Sequence, residues 1–222
     1  WDDKNLKLYK KKRPTNLNKA LEEASYIVLS PGVSVKKSKY RRSLIKYKEK
    51  IITDIDLIFL LKNFFKSIVV TGTNGKSTTC KIISHVLKKN KFKTLLGGNI
   101  GTPILNLNIK KNNLLIIEAS SFQLSHSKFI CPDYAILLNI SNDHLDWHGN
   151  MKNYINSKFK IFLNQKKDQY SILNNNLKKY LKKRNLSGKL IVPRSSDYRK
   201  FKYKIENSYL SSEINKENMM FV

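Results

Sequence analysis

Apolar residues in this chain gather into short continuous runs, and the stretches between them repeat with helical spacing. Residues 67–71 (SIVVT) form a β-branched apolar run, the pattern of a strand buried on both faces. Comparable runs recur at 94–96, 114–118, 134–140, 170–173 and 190–192. After the first, Lys76 opens a segment whose Ile82, Ile83, Val86 and Leu87 share one helical face, and 151–163 reads as a further helix. Continuous apolar strands alternating with helices predict an α/β fold, a mostly parallel sheet flanked by helices.

Upstream, 24–30 (ASYIVLS) predicts a strand ended by the Pro31-Gly32 turn, and Ile51-Ile52 opens a second. Thr53-Asp54-Ile55-Asp56 looks like a helix start with acidic residues in its first turn, and this helix is expected to end near Phe65. A domain boundary is expected there, with 1–65 as part of a smaller Rossmann-like α/β domain and 66–222 as the domain around the larger sheet. The charged opening up to Pro14 reads as the tail of an element that begins earlier, and the polar stretch 195–222 as an antiparallel hairpin region. Both ends read as cuts through a longer protein.

Composition narrows the class. Cys80 and Cys131 are lone thiols rather than a CxxC pair, which argues against a disulfide framework and a zinc site. No apolar run approaches the ~20 residues that span a bilayer, and no signal-peptide pattern opens the chain. A soluble cytoplasmic protein without a membrane partner is expected. The formal charge of +27 could mark a nucleic-acid partner. However, the basic residues are mostly lysines spread along the chain among abundant Asn and Ile, and only Tyr40-Arg41-Arg42 approaches a basic and aromatic cluster. We read the charge as compositional bias that also attracts anionic substrates, with no nucleic acid bound. A basic phosphate-loop protein that binds nucleic acid is the competing reading from another class, and a non-catalytic remnant is a third.

The chemistry begins at VVTGTNGKST. A strand, a glycine turn and a helix aim backbone N–H groups and a helix N-terminus at an anion, so Gly72, Thr73, Asn74, Gly75, Lys76, Ser77 and Thr78 are candidates to cradle ATP or GTP. Lys76 would reach the outer phosphates, and the Ser77 hydroxyl could ligate Mg2+. Val70 stands where the usual loop has its first glycine, so this loop is the shorter kind. Three further segments follow apolar strands, where a doubly wound sheet places its ligands. In Gly97-Gly98-Asn99-Ile100-Gly101, the glycines permit close backbone approach and Asn99 can donate and accept; an ordinary flexible loop reads equally well. Glu118 ends the run LLII, where a carboxylate can meet Mg2+ beside a phosphate loop. Asp143, His144 and Asp146 lie together in a segment that could also be a capped helix start. His85, His126 and His148 are expected at the surface. Spacing alone assigns Lys158 nothing.

GTNGKST, GGNIG, EASSFQL and NDHLDWHG, in this order, resemble the Mur ligases, the ATP-dependent enzymes that build the peptidoglycan stem peptide. The likeness covers roughly residues 1–162 and is greatest to the branch that adds D-glutamate to UDP-N-acetylmuramoyl-L-alanine. The resemblance implies three domains, of which the start of the first, the end of the central one and the whole third would be missing here. It further implies a monomeric ligase with ATP and Mg2+ as cofactors, acting on two small molecules through an acyl phosphate, the piece alone being inactive. By the same resemblance Ser77 and Glu118 hold one Mg2+, while His144 and a carbamylated Lys158 serve a second. Lys76, His144 and Lys158 would act in catalysis, and Ser30, Gly32 and Asn99 would contact the UDP-sugar. A folylpolyglutamate-type ligase, or another Mur enzyme, is the nearest alternative.

Overall fold

The computed structural model describes residues 16–61 and 65–222. The charged opening up to Pro14 lies outside the described residues, as does part of the stretch expected to carry a helix to Phe65. The first elements are α1 (Leu17–Glu23), β1 (Ile27–Val28), α2 (Arg41–Lys46) and β2 (Ile51–Ile52), with β1 and β2 paired in parallel. Leu21, Ile27, Leu29, Leu44 and Ile51 close a small core around them. Helix α3 (Asp54–Leu60) then starts at a capping box in which the Thr53 N–H donates to the Asp56 carboxylate at 3.1 Å.

The remaining elements in order are β3 (Lys66–Thr71), α4 (Lys76–Lys89), β4 (Thr94–Gly98), β5 (Leu114–Glu118), α5 (Ser121–His126), β6 (Tyr134–Leu137), α6 (Leu145–His148), α7 (Met151–Phe159), β7 (Tyr170–Leu173), β8 (Lys189–Ile191), α8 (Ser195–Lys202), α9 (Ser208–Ser211) and α10 (Glu213–Met219). The larger sheet has the order β4-β5-β3-β6-β7-β8, and each of its pairings is parallel. The expected parallel, helix-flanked α/β sheet is thus present, and β3 stands at its centre with β5 on one side and β6 on the other.

The strands are apolar throughout because both faces are covered. Val69, Leu115, Ile117, Ala135 and Leu137 point to one side and pack with Leu124, Ile130 and Phe159. Ile68, Val70, Ile116, Ile136 and Leu138 point to the other and pack with Cys80 and Ile83 of α4 and with Phe221. Each Val, Ile, Leu or Phe side chain among these contributes roughly 1.5–3 kcal/mol by leaving water. The helix face differs from expectation at one position: Ile82 and Ile83 are buried, but Val86 is 38% exposed, because α4 rests on the sheet through Cys80, Ile83 and Leu87.

Three further expectations change. The region 195–222 is not a hairpin but the helices α8, α9 and α10, and its buried side chains include Tyr198, Asn215, Asn218 and, just past α10, Phe221. Side-chain caps favour helix there, such as Asn207, which accepts from the Leu210 N–H at 3.1 Å. Residues 151–163 divide into α7 and a 3-10 turn at Lys160–Phe162. Finally, α3 packs Ile55, Ile58 and Phe59 into the core of the larger sheet rather than into the small core that precedes it.

Candidate active site

The phosphate loop leaves the C-terminal end of β3, as its sequence predicts, and α4 begins at Lys76. Gly75 is in the left-handed region at φ +82, and a side chain there would collide with the amide oxygen of Asn218 on α10. The first turn of a helix leaves N–H groups without intrahelical acceptors, so the start of α4 presents donors and a positive dipole end. Asn139, two residues past the end of β6, shapes the approach to it. Its side-chain oxygen accepts from the N–H groups of Thr73 at 3.1 Å and Asn74 at 2.9 Å, and its amide donates back to the Asn74 carbonyl at 3.2 Å.

Two lysines converge on the loop. The Lys76 ammonium donates to the carbonyls of Gly72 at 3.0 Å and Thr73 at 2.8 Å. The Lys158 ammonium, on α7 and 2% exposed, donates to the same Gly72 carbonyl at 2.6 Å. Burial, reinforced by the charge of Lys76, holds Lys158 down to about 7 from the ordinary 10.5. Tyr154, one helical turn before Lys158, places its hydroxyl 3.0 Å from Thr73 Oγ1, so α7 grips the loop at two points.

Glu118 ends β5 on the same edge of the sheet and is 1% exposed. Its carboxylate accepts from Ser77 Oγ at 2.7 Å and from Asn99 Nδ2 at 2.9 Å. Asn99 can approach this closely because Gly98, at φ +105, has no side chain to strike the Glu118 carbonyl. The GGNIG segment is therefore packed against the site rather than being a free loop. Ser77, Glu118 and Asn99 are brought together, as are Lys76 and Lys158.

His144 is placed differently. It emerges on this same edge in the left-handed region at φ 51, pairs with Asp143 at 3.3 Å, and lays its ring 4.7 Å from that of Phe122. Among the described residues no hydrogen bond or ion pair joins His144 to Lys158, and no group of three or more His, Cys, Asp or Glu side chains converges. Ser30 and Gly32 follow β1, and no described hydrogen bond joins them to Asn99; the loop after them reaches the His144 segment through Lys37, 3.9 Å from Asp146.

His85 is exposed as expected, but the other two surface expectations fail. His148 is 4% exposed and His126 is half-buried, and burial holds both down to about 4. Tyr154 and Asn218 carry no sequence signal as site residues because each acts on the loop across a long sequence separation. A polar residue directly after an apolar run was the available signal for Asn139. Beside α10, Asn174, Arg194, Lys216 and Glu217 help to line a cavity of about 990 Å3 at the ends of β7 and β8.

A comparison with known proteins bears on this geometry. Residues 70–219 match the family model described as Mur ligase middle domain. Over 152 residues the chain is 43% identical to the UDP-N-acetylmuramoylalanine--D-glutamate ligase of Rickettsia bellii (strain RML369-C), covering 67% of this chain and 32% of that protein. It is 40% identical over 171 residues to the ligase of the same name from Wolbachia pipientis wMel, covering 72% of this chain and 33% of that protein. The chain thus spans about a third of the length of these relatives. Among solved structures, UDP-N-acetylmuramate:L-alanyl-gamma-D-glutamyl-meso-diaminopimelate ligase from Neisseria meningitides shares the fold, with a TM-score of 0.52 at 17% identity over 79% of this chain and 60% of that one.

Proposed function

Because this chain belongs to the Mur ligase family, we propose that it carries the ATP site of a ligase joining D-glutamate to UDP-N-acetylmuramoyl-L-alanine. The names of the relatives at 43% and 40% identity support that choice of substrates. The observation that carries the reading is the contact of Ser77 with Glu118 at 2.7 Å, directly beside the helix start at Lys76. A hydroxyl and a carboxylate are the hard oxygen donors that Mg2+ prefers, and the ion completes its shell with phosphate oxygens and water. Ser77 and Glu118 therefore fit a Mg2+ ion, which when bound neutralises charge on the phosphates.

In this reading Gly72, Thr73, Asn74, Gly75, Ser77 and Thr78 cradle the ATP phosphates, and Lys76 turns from the Gly72 and Thr73 carbonyls to the transferred phosphoryl group. A carboxylate oxygen of the substrate's terminal alanine attacks the γ-phosphorus, and ADP leaves. The amine of D-glutamate then attacks the acyl phosphate, loses a proton, and expels inorganic phosphate as the amide forms. The protein contributes position and charge neutralisation. Asn99, together with Ser30 and Gly32, would orient the UDP-sugar.

Lys158 suits a metal ion only after modification, since an ammonium repels a cation. Its depressed pKa leaves a neutral amine near pH 7, able to add to carbon dioxide with loss of one proton, giving an anionic oxygen donor. His144, exposed beside Asp143, is the proposed neighbour of that group. We also place the boundary between the two units at Thr53 rather than Phe65, on the packing of α3.

The test is equilibrium binding of ATP with Mg2+ to the 222-residue chain. Lys76→Ala should abolish binding, and Glu118→Gln should remove its dependence on Mg2+. Affinity unchanged by Lys76→Ala would refute the loop assignment. Substrate choice is read from a graft of residues 70–219 into the Rickettsia bellii ligase. Phosphate release by the graft should require D-glutamate.

A further inference from the structure

His148 has no task in the chemistry above, yet its imidazole joins two elements that flank the phosphate loop. Nε2 lies 3.0 Å from Ser121 Oγ on α5, and Nδ1 lies 3.4 Å from Ser157 Oγ on α7. The protons on this chain can be counted. The Ser157 hydroxyl donates to the Asn153 carbonyl at 2.8 Å, so toward His148 it can only accept. Nδ1 therefore carries the proton, and Nε2 accepts from the Ser121 hydroxyl. The ring is neutral and both of its nitrogens are satisfied, in keeping with its burial.

What the ring connects gives it meaning. Ser121 opens the helix that follows Glu118, the residue holding Ser77. Ser157 immediately precedes Lys158, the residue holding Gly72. Tyr154 meets the His148 ring edge-on at 5.1 Å and carries the hydroxyl that holds Thr73. Asn153 Nδ2 donates to the His148 carbonyl at 2.9 Å, which couples the ring's own backbone to α7. The two sides of the loop are thus tied by hydrogen bonds through this side chain, in addition to the direct packing of α5 on α7.

We propose that His148 is a positioning residue for nucleotide binding: by tying α7 to α5 it lets Tyr154 and Lys158 hold the Gly72–Thr73 end of the loop ready for phosphate. The inference rests on the reading of that loop as the ATP site. His148 itself touches no substrate.

The dissociation constant of ATP with Mg2+ is measured on the full 222-residue chain, well below each variant's thermal midpoint. His148→Leu removes both hydrogen bonds and keeps an apolar filling, and should weaken binding about tenfold. His148→Gln keeps an amide near the Nε2 position and His148→Asn one near Nδ1, and each should recover part of the loss. Ser121→Ala and Ser157→Ala cut the same ties from the far side without altering the ring, and they decide the matter if His148→Leu does not fold. ATP affinity equal to wild type in both serine variants overturns the proposal, whatever happens to thermal stability, and leaves His148 as packing. Lys76→Ala distinguishes the failures. If it binds ATP normally, the loop reading falls and this inference with it. If it loses binding while the serine variants do not, the positioning role alone falls.

Discussion

The Lys158 ammonium lies 2.6 Å from the Gly72 carbonyl oxygen, deep under the phosphate loop and beside a second lysine on the same acceptor. Two like charges sharing one buried acceptor raise each other's cost, and the loss of water around Lys158 adds to it. The chain tolerates this at the point where an anionic ligand is proposed to bind, which is where polyphosphate would relieve the repulsion.

Lys158 should make stability depend on pH in a definite direction. Its folded pKa, about 7, lies below the ordinary 10.5 of the unfolded chain. Between those values the unfolded state holds the extra proton, so stability rises with pH across this window and is lowest below it. Lys158→Met should be more stable than wild type at pH 6, with the advantage shrinking toward pH 10. Urea midpoints measured at intervals from pH 6 to pH 10 check this; a parallel pair of curves would contradict it.

His126 and His148 should govern the acid limb. Burial holds both near 4 against an ordinary 6.5, so the unfolded chain takes up their protons first as pH falls. Their contribution is complete above 6.5 and is lost progressively toward 4. His126→Phe should flatten the decline in urea midpoint between pH 6.5 and pH 4.5 without abolishing it, because His148 remains.

Asp56 should be costly to remove although it lies outside the site. It is fully buried, and its carboxylate accepts from Ser127 Oγ at 2.6 Å and from the N–H groups of Lys128 at 3.1 Å and Phe129 at 2.8 Å. Asp56→Ala would strand these three donors and the Thr53 N–H of the capping box, and unfolding in urea should show a loss of about 3 kcal/mol. A loss below ~1 kcal/mol would mean that water takes over those donors.

Gly75 and Asn218 should prove coupled. Gly75→Ala meets both the left-handed backbone penalty, about 1–2 kcal/mol, and the Asn218 side chain. In an Asn218→Ala background only the backbone penalty remains. A double-mutant cycle on stability should therefore give a coupling of about 1 kcal/mol, and strict additivity would place the two residues apart.

The phosphate loop, the parallel sheet and the edge on which Glu118 and His144 emerge were legible because each is local. A β-branched run, a glycine turn and a lysine at a helix start encode their geometry within ten residues, and strands covered on both faces must be continuously apolar. The polar tail was misread for the same reason. Its helices are held by caps and by a few residues such as Phe221, whose partners on the sheet and α4 lie far away in sequence.

Sequence alone therefore determined where a glycine turn joins a strand end to a helix start and which strands carry the residues around it, since helix and strand periods follow from backbone geometry. Only the tertiary structure decided which polar groups share that place. Tyr154, Asn218 and His148 bear no local mark of their partners, because a hydroxyl, amide or imidazole finds its partner only after packing has excluded water and brought distant segments within about 3 Å. Burial decided the rest: Lys158 differs from the other described lysines not in its neighbours along the sequence but in having almost no water around it.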